Sequence, residues 1–359
     1  MQNSRKKIVM FLQSGVAGAE RMTILYGKVL PKQRYEVKFY PIVKKHAVKN
    51  SILDFIPQEY SVNMLYPKHS VHLCYMIYKV IGKEKPDYVF SSVLYLSDKI
   101  LLFRHRFPET RFIIRCENYW YTFSAQQQRL IRLLYGRADL IVAQTREMKE
   151  ELAENTKIPS SKVRVLENPI DKSVIDALVQ QSANPYPDDG LLHYVAVGRF
   201  SYQKGFDLLV DAFAMLHKSN SKVSLYIVGA YDGTGHENYE SVREKVAQYG
   251  IEDRVHFVGY QSNPYSYLRY ADTFVLSSRW EGLPNVLVEA MYLGTPVAAF
   301  TCIPFVGRVI ENGLNGYCAA KGNVHELADA MQNAGMMGRC TSSYSGVGVE
   351  EVEEIFAID

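Results

Sequence analysis

The chain has 359 residues, more than one ordinary hydrophobic core organises, so two domains of roughly 150–190 residues are expected. Its 47% hydrophobic and 22% charged residues fit an ordinary globular protein, and no apolar run reaches the ~18 residues a membrane-spanning helix needs. Five scattered cysteines with no C-x-x-C argue against a zinc site and a disulfide framework, while a net charge of only +3 hides an imbalance: 29 Lys and Arg against 19 Asp and Glu through Gly190, then 12 against 19.

The cysteine usage points to the cytosol. The basic front half suits an anionic partner, with an acidic-lipid membrane surface among the candidates; the alternative is a solvated surface that meets nothing. In chain order, MQNSRKKIVMFLQSG has a basic head, but its apolar stretch over 8–12 is short for a signal peptide and reads as a first β-strand. Gly15 and Gly18 follow in FLQSGVAGAERM. The spacing is not G-x-G-x-x-G, so a dinucleotide fingerprint is weak; these glycines either admit close backbone approach to a ligand or make a plain tight turn. YEVKFYPIV, DYVFSSV, RFIIRCE, DLIVAQT and VRVLENP continue the strands of the front half. His69 and His72, with no neighbouring carboxylate, read as helix-surface residues.

SANPYPDDG, residues 182–190, is linker-like in its Pro, Asp, Asn and Gly content. HYVAVGR, VSLYIVGA, RVHFVGY, TFVLSSR and PVAAF then repeat the alternation of apolar strand and helix-like stretch. Such alternation predicts parallel sheets covered on both faces, hence an α/β protein of two Rossmann-like domains with a cleft between them. The domains are expected over 1–182 and 190–335. In the tail at 336–359, GMMGRCTSSYSGVG reads as loop and the closing VEEVEEIF as a short acidic helix.

Two loops could carry chemistry. In RWEGLPNVLVEAMYLGTPVAAF, residues 279–300, Glu281 and Gly282 lie between a strand and a helix expected over 285–293, with Pro284 in its first turn. The amides of Leu283, Asn285 and Val286 then make an anion site suited to a diphosphate. Glu289 lies about one turn in and leans back toward the helix start; a carboxylate there serves neutral hydroxyls, as on a ribose or sugar. The alternative is a helix-capping glutamate plus a surface glutamate. In VGRFSYQKGFDLLVDAF, Arg199 and Lys204 sit in another strand-to-helix loop and could clamp the same diphosphate, or be two solvated basic residues.

The Glu-x7-Glu pattern opening on E-G-L-P-N, the G-R-F-x-x-x-K-G segment and G-A-E-R after the first strand resemble the retaining glycosyltransferases of family four, which have the GT-B fold. ENPID (167–171) and ENGLNGY (311–317) resemble further segments of that family, and the similarity runs from about residue 7 to about 330. The resemblance implies an acceptor-side front domain, a donor-binding back domain, and transfer of a hexose or N-acetylhexosamine from a nucleotide-sugar, UDP-linked by family habit, with retention at the anomeric carbon. Arg199 and Lys204 would hold the diphosphate, and Glu281 would bond the donor sugar. Amides from Gly282 to Val286 would meet sugar and phosphate, and Glu289 would bond the ribose. Gly18 would admit the phosphates, and VGY, ending at Tyr260, would lie near the base.

No cofactor and no metal are implied, because the cations and the helix start supply the electrostatics. The acceptor would be a glycan or a lipid-linked glycan, nucleic acid is not a partner, and the chain would be cytoplasmic or peripheral at the inner face of the cell membrane. Where relatives carry a front-domain histidine, this chain has RCENYW, and Glu117 or Asn118 could occupy that place; Glu117 is then a catalytic or acceptor-site residue, or an ion-pair partner of Arg115 or a neighbour. The tail resembles the family's returning C-terminal helix poorly. A nucleotide-sugar epimerase of the same fold, or a non-catalytic member that binds nucleotide or a partner, are the rival functions.

Overall fold

A computed structural model describes residues 5–15, 18–43, 52–230, 236–340, 344 and 346–357. Positions 16 and 17 of the glycine loop, and 341–343 and 345 of the tail, lie outside the described residues. The chain divides into two compact units, Met1–Pro169 with Val347–Asp359, and Ile170–Gly346.

In the first unit the elements are β1 (Lys6–Gln13), α1 (Gly18–Val29), β2 (Tyr35–Ile42), β3 (Ser61–Val62), α2 (Ser70–Glu84), β4 (Tyr88–Ser91) and α3 (Leu94–Leu101). They continue with β5 (Arg111–Cys116), α4 (Ala125–Leu134), β6 (Leu140–Ala143), α5 (Arg146–Asn155) and β7 (Val163–Val165). All seven strands run parallel in the order β3-β2-β1-β4-β5-β6-β7. The run IVMFL at 8–12 is fully buried, as a strand covered on both faces requires. Helix ends are fixed by side chains: Ser124 and Gln127 form a reciprocal capping box on α4, and Thr145 caps α5.

The second unit holds α6 (Lys172–Gln180), β8 (Leu192–Val197), α7 (Phe206–Ser219), β9 (Val223–Val228), α8 (His236–Tyr249), β10 (Val255–Gly259) and α9 (Tyr265–Tyr270). It closes with β11 (Thr273–Leu276), α10 (Asn285–Tyr292), β12 (Val297–Phe300), α11 (Pro304–Val309), β13 (Gly316–Ala319) and α12 (Val324–Gly335). Its six parallel strands are ordered β10-β9-β8-β11-β12-β13. Each sheet reverses direction of build once, between β1 and β4 and between β8 and β11, and ligands of such sheets bind beyond the carboxyl ends of the strands at that switch point.

Three boundaries differ from the sequence expectation. The division falls at Pro169/Ile170, not within 182–190, because the linker-like segment is docked on the second unit: the Tyr186 ring stacks on His193 at 4.7 Å and its hydroxyl donates to the Tyr267 carbonyl at 2.8 Å. The tail is no separate segment at 336–359. The helix α12 ends at Gly335, and Val349–Phe356 forms a 3₁₀ helix that buries Val352, Ile355 and Phe356 in the core of the first unit. Two strands were not anticipated: β3, two residues long and exposed, and β13, which begins on glycine. Pro284 precedes α10 as its N-cap residue, and its carbonyl accepts the Leu287 amide at 3.0 Å.

Candidate active site

The loops after β8 and β11 flank the switch point of the second sheet, and they are stitched together. The Arg279 amide donates to the Gln203 carbonyl at 2.7 Å, Ser277 Oγ to the Lys204 carbonyl at 2.9 Å, and Gln203 Nε2 to the Trp280 carbonyl at 3.0 Å. Gly205 permits the approach. Its φ is +61°, and a Cβ built there would lie 2.3 Å from the Ser277 carbonyl oxygen.

This stitching brings two sequence candidates into contact. Lys204 Nζ lies 2.7 Å from Glu281 Oε1. Ser278 Oγ donates to the same oxygen at 2.6 Å. Glu281 is buried, with only 6% of its surface exposed, so its charge is held by an ammonium and a hydroxyl rather than by water. Both bonds fall on Oε1; Oε2 and two of the three Lys204 protons are left for a ligand. Arg199, by contrast, is exposed and makes no ion pair among the described residues.

An outer clamp surrounds this pair. Arg279 donates to Asp207 through both terminal nitrogens, at 2.8 and 2.5 Å, and lies 3.9 Å from the Tyr202 ring centroid. Burial would raise the Asp207 carboxyl, but the guanidinium outweighs it and holds the group below the ordinary carboxylate range. After β12, burial together with the Glu281 charge pushes the Cys302 thiol up to about 12.

Gly282 and Leu283 are buried beside Glu281, while Asn285 and Val286 are half-buried in the first turn of α10. Amides of a first helical turn have no carbonyl within the helix to bond, so this turn presents donors to an anion. Glu289, half-buried at the fifth position of α10, accepts from the Tyr265 hydroxyl at 3.4 Å. Tyr260 is exposed just beyond β10, whose last residue, Gly259, accepts the Gly229 amide at 2.9 Å.

In the first unit, Gly15 is exposed and a Cβ there would meet nothing within 4 Å, so the fold itself does not demand the glycine. Gly18, also exposed, opens α1. Glu117 follows β5 and accepts the Leu94 amide of α3 at 3.4 Å. It makes no salt bridge with Arg115, which is buried and donates to Asn168. Burial raises the Glu117 carboxyl, opposed by the Leu94 bond and the Arg115 charge. His69 caps α2 by accepting the His72 amide at 3.2 Å. No group of three or more His, Cys, Asp or Glu among the described residues is placed to hold a metal ion.

Sequence reasoning missed Ser278, Arg279 and Asp207. Ser278 stood in TFVLSSR, three positions before Glu281, but was read only as the end of a strand. The Arg279–Asp207 pair spans 72 positions and no local pattern signals it.

Comparison with known proteins also falls into two parts along the chain. Residues 181–334 match the family model described as "Glycosyl transferases group 1", and residues 16–174 match "Glycosyltransferase Family 4". The chain is 29% identical to the amylovoran biosynthesis glycosyltransferase AmsD of Erwinia amylovora, over 85% of this chain and 82% of that protein. It is 25% identical to the mannosylfructose-phosphate synthase of Agrobacterium fabrum, over 84% and 72%. Among solved structures it is similar to HepE of Anabaena in complex with UDP-glucose, with TM-score 0.78, 20% identity and 98% of each chain covered. At that identity the structural likeness speaks for the fold.

Proposed function

The chain belongs to the glycosyltransferases of family four, and from that premise we propose that it moves a sugar from a UDP-sugar to a glycan or lipid-linked acceptor with retention at the anomeric carbon. The observation that carries the donor reading is the ion pair of half-buried Lys204 with buried Glu281, 2.7 Å apart at the switch point of the second sheet. A diphosphate placed at the start of α10 would meet helix amides and the free protons of Lys204, with the exposed Arg199 on the neighbouring loop as a further cation. Glu281, its Oε1 taken by Lys204 and Ser278, offers Oε2 to a hydroxyl of the donor sugar. Glu289 serves the ribose hydroxyls, and Tyr260 borders the base.

As the glycosidic bond to the diphosphate breaks, positive charge grows on the anomeric carbon and negative charge on the leaving group. Lys204, Arg199 and the helix amides stabilise the latter, so the transfer needs no divalent metal. The departing phosphate oxygen takes the proton of the incoming acceptor hydroxyl. HepE was solved with UDP and with UDP-glucose, which supports a uridine donor. A Campylobacter jejuni relative, 30% identical over 45% of this chain, is named as acting on a diphospho-undecaprenol-linked sugar, which supports a lipid-linked acceptor.

The test is thermal stability with UDP, GDP, ADP and NAD. A ligand at ~1 mM with Kd ~10 µM stabilises by roughly 2.7 kcal/mol. A shift with UDP alone is expected. No shift with any nucleotide overturns the donor reading.

A further inference from the structure

Exposed apolar side chains are frequent in one stretch of the first unit: among the described residues, eight of the nineteen large hydrophobic side chains that stand exposed fall within residues 62–102. They follow a pattern on α2. Leu73, Ile77 and Ile81 make its buried stripe, while Val71, Tyr75 and Tyr78, spaced four and three apart, form a second apolar stripe that faces solvent. Val71 is 74% exposed and Tyr75 56%. Helix α3 extends this face: the Tyr95 hydroxyl lies 3.4 Å from Ser70 Oγ at the start of α2, and Leu102 stands exposed at the end of α3.

Charge on the same surface has one sign. Lys68, Lys79 and Lys83 are exposed and pair with no carboxylate among the described residues. The acids of this stretch are engaged elsewhere: Glu84 with Lys38 at 2.7 Å, Asp87 with the Lys7 amide at 2.7 Å, and Asp98 with Lys99 at 3.3 Å. Lys79 stands 5.5 Å from the centre of the Tyr75 ring, so cation and aromatic are presented together.

We propose that the solvent faces of α2 and α3 seat this unit on an anionic lipid surface, with Val71, Tyr75, Tyr78 and Tyr95 at headgroup depth and Lys68, Lys79 and Lys83 against the phosphates. Tyrosine suits that layer because its ring prefers apolar surroundings and its hydroxyl prefers water. Charge complementarity selects the occupant: unpaired lysines around an apolar stripe match an acidic headgroup layer over hydrocarbon. The proposal rests on the reading of the chain as a transferase with a lipid-linked acceptor, which such docking would bring to the enzyme.

The test is co-sedimentation of the full chain with vesicles of phosphatidylcholine alone or with one third phosphatidylglycerol. The protein should sediment with the anionic vesicles and not with the neutral ones. Lys79→Glu with Lys83→Glu should weaken binding at least tenfold, since each lysine is worth about fivefold. Val71→Ser with Tyr75→Ser should weaken it at constant charge. Both variants should keep the wild-type shift in stability with UDP, which certifies their folding. Absence of wild-type binding, equal binding to neutral vesicles, or variants that sediment like wild type would each overturn the proposal. Sedimentation as expected without any UDP shift would instead remove the donor reading and leave the lipid face standing.

Discussion

Glu281 and Glu289 share a charge and a helix region but not an environment. Glu281 is buried against Lys204 and Ser278, whereas Glu289 is half-buried with a Tyr265 hydroxyl at 3.4 Å. On the proposed contact of Glu281 with the donor sugar, where charge develops, Glu281→Ala should lower kcat by ~10²–10³-fold. Glu289→Ala should chiefly raise KM for the donor; steady-state kinetics with the donor varied would separate the two, and the reverse pattern would refute the assignment. Glu117 gives a pH prediction. Its carboxyl is raised by burial, so the folded state holds that proton more tightly than the unfolded chain, where an ordinary Glu titrates near ~4.3. The stability this provides is complete below the unfolded value and is lost as pH rises through the folded one. Glu117→Gln does not titrate. Its melting temperature should therefore match wild type in acid and exceed it at pH values above the folded pKa, whereas a constant gap across the range would show that burial of the charge is not what distinguishes this side chain.

At the scale of elements, the sheet was legible wherever a strand is buried on both faces. KKIVMFLQ coincides with β1, and VSLYIV with β9, because a continuous apolar run has few other fates. Where burial fails the signal fails: β3 is two exposed residues held by β2, and β13 is stabilised by its neighbour β12 rather than by its own composition. The candidate site was legible through Lys204 and Glu281, residue types that announce chemistry. The clamp of Arg279, Asp207 and Tyr202 was not, since it exists only once two loops 70 or more positions apart are brought together. Gly205 is the point on which that meeting turns. Gly205→Ala must adopt φ near +61° and displace the Ser277 carbonyl, 2.3 Å from its Cβ. Left-handed backbone alone costs roughly 1–2 kcal/mol, and the clash adds to it. Gly250, at φ +64° with nothing within 4 Å of a Cβ, provides the comparison. Thermal melts should show a drop of several degrees for Gly205→Ala, clearly larger than for Gly250→Ala. The UDP-dependent shift should weaken in the first variant only; equal losses would mean that the Ser277 contact is unimportant.

For the molecule as a whole, composition placed the boundary in the wrong segment. Pro, Asp and Asn mark a linker statistically, but in 182–190 they surround Tyr186, whose ring finds His193, and the segment docks. The actual division lies between Pro169 and Ile170, and the chain returns to the first unit at Val347, a non-local arrangement that no window of sequence displays. One part of the return could have been read from VEEVEEIF: Ile355 and Phe356 follow Val352 by three and four positions, an apolar stripe that needs a core to cover it. Phe356 meets Tyr88 edge-on at 5.7 Å between ring centres and approaches Phe90 at 5.8 Å and Tyr35 at 6.4 Å. Those rings belong to β4 and β2, so the 3₁₀ helix at Val349–Phe356 packs into the core against the first sheet. Phe356→Ala should therefore cost about 3–5 kcal/mol, as loss of a buried ring does when its cavity cannot collapse. Because opening is local as well as global, amide exchange should report where that energy was held. Protection should fall in β1, β2 and β4 and stay unchanged in β8 and β9, and a variant that kept wild-type protection in β2 and β4 would show that the C-terminal 3₁₀ helix merely rests on the first unit.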